Sequence, residues 1–432
     1  MKTQATDDRV DAETAARLRR RPLGRYRYVR LRWRVLFAVI DFVGTVVFRL
    51  GRWLRRWGGP RETAATGDPR VILIVQLDHL GDAILSTGMI AMLRRRWPDA
   101  SIEVLTGEWN QQLFSAIDAV DRVHVSRLNR FSRAGRFGWP AAVFWWGWRL
   151  RRRRADLGID VRGEFPLALI LWLCGARRRL GWAAGGGGFL LTDSPAFVPN
   201  RPETESRRAL LAELGVVASR PEEFWPVLRP TEAARRRIRH QITRQGLRGP
   251  FVALHVSAGT AAKQWPTEHW RELIGRLIVG KGLEVVLVGS GADRIIAQSI
   301  LAGKDWPGVF DWTGRCDVVE LGALFERAGA AVGADSGPTH LAAAVGRPVV
   351  VLFSGTNRPE QWQPQGANVA VLRRPVACSP CHRDRCPRAD HPCMRELGPE
   401  QVERAVERAL KIDEMDGSVL QESETVLLCK KL

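Results

Sequence analysis

The chain has 432 residues, 45% of them apolar, and a formal net charge of +20. That length gives room for two or three domains with their own cores, and the apolar content excludes a chain disordered as a whole. The charge is concentrated: thirteen arginines and one acid, Asp41, lie between Arg17 and Arg56, which gives that segment +12 of the +20. The remainder makes no independent case for nucleic acid.

Residues 1–20 are polar. Within the basic segment stands VLFAVIDFVGTVVF, Val35 to Phe48, followed by RLGRWLRRW. Fourteen residues broken by Asp41 are short for a bilayer span, which needs about twenty. No small-residue cleavage site marks an exported precursor. Two readings stay open. One is an amphipathic helix in an anionic membrane surface, with Trp33, Trp53 and Trp57 at the interface and arginines toward phosphate. The other is a helix packed on the protein itself. The missing export signal predicts a cytoplasmic location, at the inner face of the membrane. GGPRETAATGDP, Gly58 to Pro69, reads as a linker, so the amino-terminal extension is expected to occupy 1–69.

From Val71 the chain alternates strands and helices. VILIV predicts a buried strand and residues 83–97 a helix, with QLDHLGD between them. SIEVLT and DRVHVS predict two further strands. FGWPAAVFWWGWRLRRRR predicts a surface helix with an aromatic face and a cationic end, either packed between domains or touching a membrane. ADLGIDVRGEFP holds the next strand, with Asp160, Arg162 and Glu164 at its exit. Gly185–Gly188 lacks the lysine and the spaced glycines of a nucleotide cradle and predicts a flexible loop. A Pro-rich turn in 220–230 precedes the second domain. The expected division is 70–240 and 241–412, with a tail at 413–432. The second half continues the alternation from FVALHVS to VVVLFS, which predicts doubly wound α/β domains with parallel sheets.

Three loops of the second half can carry chemistry. SAGTAAKQWP follows a strand, and Thr260 and Lys263 there suit an anionic phosphate. VGSGADR offers Asp293 to ribose hydroxyls or to a helix cap, with equal claim. ADSGPTHLAAAVG places Ser336, Gly337, Pro338 and Thr339 at the start of a helix, where N–H and O–H donors favour phosphate. Asp335 suits loop organisation or sugar hydroxyls, and His340 a ligand contact or the core. In the first half Asp78, His79 and Asp82 stand where a strand turns into a helix. Capping and base catalysis compete there.

Taken in order, these segments resemble the ADP-heptose:lipopolysaccharide heptosyltransferases, glycosyltransferase family 9. VILIVQLDHLGDAILSTG is similar to the family's first signature, GTAAKQWPTEHWREL to its phosphate loop and GADSGPTHLAAAVGRPVVVLFSGT to its nucleotide-sugar segment. The resemblance covers roughly residues 70–412. It implies the GT-B architecture, two Rossmann-like domains facing across a cleft, with acceptor mainly on the first and ADP-heptose on the second. It implies inverting transfer of heptose to a lipid-linked lipopolysaccharide-core acceptor without a catalytic metal. Asp82 falls at the catalytic base and Lys263 at the phosphate contact. Asp335 to His340 fall on the nucleotide-sugar loop, with Asp78, His79 and Arg162 on the acceptor side or orienting. Gly88 stands where the family often has proline.

Cys378, Cys381, Cys386 and Cys393 form C-x₂-C-x₄-C-x₆-C, a spacing suited to a structural zinc or iron site, to reduced structural thiols or, less readily, to disulfides. The nearest rival function is a transferase of the same fold with another nucleotide sugar or another glycan or protein acceptor. A non-enzymatic membrane or nucleic-acid binder leaves the three ordered segments without a use.

Overall fold

The computed structural model describes residue 26 and residues 31–55, 67–127 and 139–415. The expectations for residues 1–20, for Trp57, for most of the 58–69 linker and for 416–432 lie outside the described residues, as does the Trp53 side chain. Two compact units emerge. The first contains the chain through His79 and Met89–Phe224; the second contains Leu80–Gly88 and the chain from Trp225 onward.

The first unit is built on a parallel sheet of order β3-β2-β1-β4-β5, comprising β1 (Val71–Gln76), β2 (Ser101–Gly107), β3 (Arg122–Ser126), β4 (Leu157–Asp160) and β5 (Arg178–Leu180). VILIV is an unbroken apolar run because a central parallel strand is covered on both faces, and Ile72 to Gln76 are all buried. The helix expected at 83–97 starts earlier and is broken. It forms α2 (Leu80–Leu85) and α3 (Thr87–Arg96). At the break, Ser86 Oγ donates to the Asp82 carbonyl at 2.9 Å and Thr87 Oγ1 to the Ile84 carbonyl at 2.8 Å. Hydroxyls that bond back to preceding carbonyls bend or interrupt a helix.

The basic segment is one 25-residue helix, α1 (Leu31–Arg55). Among the described residues no helix is long and apolar enough to cross a membrane. One stripe of α1 lies against its own unit. Phe37 meets Phe165 in a tilted pair with ring centroids 6.3 Å apart, and Phe48 meets Trp172 at 5.5 Å and Phe189 at 5.2 Å. Asp41 is buried in that stripe. Its Oδ1 accepts from the Gly187 N–H at 2.6 Å, and its Oδ2 accepts from the Tyr26 hydroxyl at 2.8 Å. The opposite stripe, including Val39, Phe42, Val43, Val46 and Val47, faces solvent. The packed reading holds for one face of this helix, and the other face is open to solvent.

The Gly185–Gly188 run is not a flexible loop. Gly185, Gly186 and Gly187 are buried. A Cβ on Gly185 would collide with the Gly163 carbonyl, and one on Gly186 would collide with Phe37. Gly186 and Gly187 also have φ of +85° and +79°, where glycine alone is unstrained. Close approach, rather than mobility, explains the glycines.

Helix α4 (Trp139–Leu150) lies on α5 (Phe165–Leu173), and both contribute to one core: Val143, Trp146 and Leu150 from α4 meet Leu167, Ile170 and Leu171 from α5. Arg153, just beyond α4, turns inward to the buried Glu103, with Nε at 2.9 Å from Oε1. His124 Nε2 also lies 2.7 Å from Glu103 Oε2. Burial alone would raise the Glu103 carboxyl, but hydrogen bonds from His124 and Arg153 hold it down at about 2.

The second unit has a six-stranded parallel sheet of order β11-β10-β9-β6-β7-β8. Its strands are β6 (Phe251–His255), β7 (Glu284–Val288), β8 (Val309–Asp311), β9 (Ala330–Ala334), β10 (Val349–Phe353) and β11 (Val369–Arg373). Five helices bear on the site or its frame: α6 (Glu232–Gln245), α7 (Thr267–Gly275), α8 (Arg294–Leu301), α9 (Val318–Phe325) and α10 (Gly337–Ala344). The units divide after Phe224 rather than at 240. Helix α6 accounts for the difference, since Arg235 grips Glu326 at 2.7 and 2.8 Å and Arg237 meets Glu320 at 2.9 Å.

Candidate functional site

The polar loops of the second unit converge at the carboxyl ends of β6 and β9. Lys263 sits in a short turn after β6, and its Nζ donates to Asp335 Oδ2 at 2.6 Å. Asn357 Nδ2 donates to the same oxygen at 2.9 Å. Asp335 is therefore the loop's organiser: it fixes a lysine and an amide beside the start of α10. His340 Nε2 stands 4.0 Å from its other oxygen, and His340 itself is buried.

Ser336 begins α10, and its N–H donates to Thr339 Oγ1 at 3.4 Å. Thr339 Oγ1 in turn donates to the Ser336 carbonyl at 2.7 Å. Pro338 occupies an early position where its missing N–H costs nothing. The remaining first-turn N–H groups and the helix dipole make this end a place for an anion. Thr260 Oγ1, in the Lys263 turn, is buried without a hydrogen-bond partner, as a hydroxyl awaiting a polar ligand would be.

Asp293 takes one of its two expected roles. Its Oδ2 accepts from the Ser290 N–H at 2.6 Å and from the Ser290 hydroxyl at 2.8 Å. That is a cap at the entrance to α8.

The turn carrying Asp82 is grouped with this unit. Asp82 is half-buried in the first turn of α2. A Cβ on Gly337 would come within 2.9 Å of Leu80 Cδ2, and one on Gly81 within 3.3 Å of His340 Cδ2. Glycine at both positions lets the Asp82 turn lie directly on the start of α10.

In the first unit, a second polar group gathers at the ends of β1, β2 and β4. Arg162 pairs with Asp78, and its Nε donates to Glu164 Oε1 at 2.7 Å. Asp160 Oδ1 accepts from the N–H groups of Arg162 and Gly163 at 3.1 and 2.8 Å. Burial pushes the Asp160 carboxyl up to about 7. The Asp78 carbonyl accepts from Trp109 Nε1 at 2.7 Å and Asn110 Nδ2 at 2.9 Å. Both amide atoms of the fully buried Gln76 have no hydrogen-bond partner, and neither does Thr106 Oγ1 across the strand register. Asp78 and Arg162 are thus brought together, whereas His79 is exposed at the turn.

Sequence reasoning missed Asn357, His255, Gln76 and Thr106. His255 ends β6, with Nδ1 3.2 Å from Ser336 Oγ and Nε2 3.2 Å from Ser257 Oγ. Its burial in an apolar strand end left no sequence signal. Burial pushes its imidazole down to about 4 from an ordinary 6.5. A depressed histidine gives stability that is present above the unfolded value and lost as pH falls toward the folded one. Between about pH 7.5 and about pH 5 the protein is expected to lose about 2 kcal/mol more than a His255→Asn variant. Denaturant melts of both proteins across that window measure the difference; equal acid sensitivity would assign the effect to another group.

The structure gives no support to the structural metal that is one reading of the four cysteines. Among the described residues no group of three or more His, Cys, Asp or Glu is arranged to hold a metal ion. Cys393 is buried against the apolar core of the second unit while Cys378 is exposed; burial, and then the neighbouring thiols of Cys386, Cys378 and Cys381, raise the Cys393 thiol above its ordinary value. The segment instead braces the site. Ala262 N–H donates to the Asp384 carbonyl at 3.0 Å, Cys381 N–H to Gly355 at 2.9 Å and His382 N–H to Thr356 at 3.1 Å.

The profile of glycosyltransferase family 9 (heptosyltransferase) matches residues 145–391, more than half of the chain. Lipopolysaccharide heptosyltransferase 2 of Escherichia coli strain K12 is 25% identical over 363 residues, 81% of this chain and 99% of its own length. Lipopolysaccharide heptosyltransferase 3 of Escherichia coli is 26% identical over 306 residues, 67% of this chain and 84% of its own. Among solved structures, the E. coli ADP-heptose lipopolysaccharide heptosyltransferase II superimposes with a TM-score of 0.65 at 24% identity, covering 79% of this chain and 99% of that one. A family 9 glycosyltransferase from Veillonella parvula DSM 2008 gives a TM-score of 0.67 at 20% identity, covering 79% and 97%. These two establish the fold.

Proposed function

The chain belongs to glycosyltransferase family 9, the heptosyltransferases, and from that premise we propose that it transfers heptose from ADP-heptose to a lipid-linked lipopolysaccharide-core acceptor, with Asp82 as base. The observation that carries the proposal is the packing of the Asp82 turn on the start of α10, through Leu80 on Gly337 and Gly81 on His340. Asp82 directly follows the two residues that touch this helix end, whose first-turn donors suit a diphosphate. The relatives named as lipopolysaccharide heptosyltransferases support heptose as the transferred sugar and lipopolysaccharide as the acceptor class.

In this reading the acceptor hydroxyl loses its proton to an Asp82 oxygen as its own oxygen attacks the anomeric carbon. The bond from that carbon to the diphosphate breaks, and configuration inverts. Lys263, the first-turn N–H groups of α10 and the Thr260 hydroxyl stabilise the charge that grows on the departing ADP. Asp335 positions Lys263 and, with His340, lies near the donor sugar. Asp78 and Arg162, together with Gln76 and Thr106, line the acceptor side. The solvent-facing stripe of α1 holds the enzyme at the anionic cytoplasmic surface of the inner membrane, where such an acceptor resides.

The test is transfer by purified protein, with ADP-heptose and lipopolysaccharide-core acceptors set against a panel of other nucleotide sugars and glycans. Turnover with ADP-heptose and a core acceptor supports the reading. Turnover only with another sugar nucleotide replaces the donor and keeps the mechanism.

A further inference from the structure

A second helix of the first unit is apolar on the wrong side. Helix α4 buries Val143, Trp146 and Leu150 in the core, yet Phe144, Trp145 and Trp148 point outward, and Trp148 is 65% exposed. A helix apolar all round belongs in a core or against a nonpolar partner. Arg149 lies over the Trp145 ring at 5.2 Å and Arg152 over Trp148 at 5.6 Å. Arg151, Arg152 and Arg154 are exposed, whereas Arg153 is held inside by Glu103.

Helices α1 and α4 both pack on α5. Helix α1 meets it through Phe37 on Phe165 and Phe48 on Trp172. Helix α4 meets it at Gly147, where a side chain would collide with Leu173. Trp172, between these contacts, is itself 41% exposed. The open stripe of α1, Trp172 and the outer face of α4 therefore form one surface. Large apolar side chains clustered on an exposed surface mark a binding face rather than an ordinary one.

We infer that α1, Trp172 and α4 make a single docking face for an anionic lipid bilayer, in which Phe144, Trp145 and Trp148 insert and the arginines beyond α4 meet headgroup phosphates. This rests on the membrane reading of α1 and extends it to a second helix. Charge selects the occupant. Across α1, α4, α5 and residues 151–154 the sole acid is Asp41, and it is buried against Gly187. An exposed apolar field rimmed by arginine, with no exposed acid, complements anionic lipid. Two separate anchors also fix the roll of the unit on the surface, which one helix cannot do.

The experiment uses the full chain and flotation with phosphatidylglycerol–phosphatidylethanolamine vesicles, with phosphatidylcholine vesicles as the neutral control. Three variants are compared: Phe144→Ser/Trp145→Ser/Trp148→Ser, Arg149→Gln/Arg152→Gln, and Val39→Ser/Phe42→Ser/Val46→Ser. The aromatic variant is expected to bind anionic vesicles more weakly by on the order of tenfold or more. The arginine variant is expected to lose the salt-sensitive part of binding. ADP affinity checks that each is folded, and the arginine variant, altered only on the surface, carries the test if the aromatic one does not fold. If both α4 variants bind as the parent does while the α1 variant fails, this inference falls and the membrane reading of α1 stands. If none of the three changes binding, both fall. A dimer that dissociates on replacing Trp145 and Trp148 would assign the face to a second copy and overturn the proposal.

Discussion

Replacing Asp82 by asparagine is expected to slow sugar transfer by roughly 10²–10⁴-fold, the usual contribution of a positioned general base, while ADP-heptose still binds. Asparagine keeps the size of the side chain, and the substitution leaves in place the bond from the Ser86 hydroxyl to the main-chain carbonyl of residue 82. The turn should therefore persist. Single-turnover transfer and donor titration, made separately, distinguish the cases. Near-normal transfer would remove Asp82 as the base. Loss of donor binding together with transfer would make the residue a support of the α10 entrance instead.

Lys263→Ala is expected to weaken ADP binding roughly ten- to hundredfold, the range for loss of a hydrogen bond to a charged group. A further fall in transfer at saturating donor is expected, because the lysine's interaction should strengthen as charge grows on the leaving group. The variant also leaves Asp335 with Asn357 as its neighbour in place of the ammonium at 2.6 Å. Lys263→Arg keeps the charge without the compact geometry and should recover part of the affinity. Unchanged ADP titration and unchanged kinetics in the alanine variant would take Lys263 out of the donor site. A fall in thermal stability with normal ADP affinity would make it a partner of Asp335 alone.

Much of the fold was legible because parallel strands buried on both faces write themselves as apolar runs. VILIV, FVALH and VVVLF each appear as strands of the two sheets. The start of α10 was legible for a different reason: Pro338 and Ser336 carry local helix-start chemistry. What was lost is non-local. Asp41 and Gly187 are 146 positions apart, so neither the acid in an apolar run nor the glycines showed their purpose alone. The break at Ser86 depended on where two hydroxyls turned, which propensity does not specify. The cysteine spacing could not foretell that Cys393 is buried against the core of the second unit while Cys378 is exposed.

Anyone seeking a shorter, more tractable protein would cut just before β1 and discard the basic helix. The contacts of α1 argue against that cut. It would uncover Phe165, Trp172 and Phe189 together and leave the Gly187 N–H without its carboxylate. The trimmed enzyme would exchange one sticky surface for another and lose a clasp on the glycine loop. Recoding the open stripe in place, with polar residues at Val39, Phe42 and Val46, keeps Phe37, Asp41 and Phe48 on the inner side. Solubility and integrity can be separated in this helix because they occupy opposite sides of it.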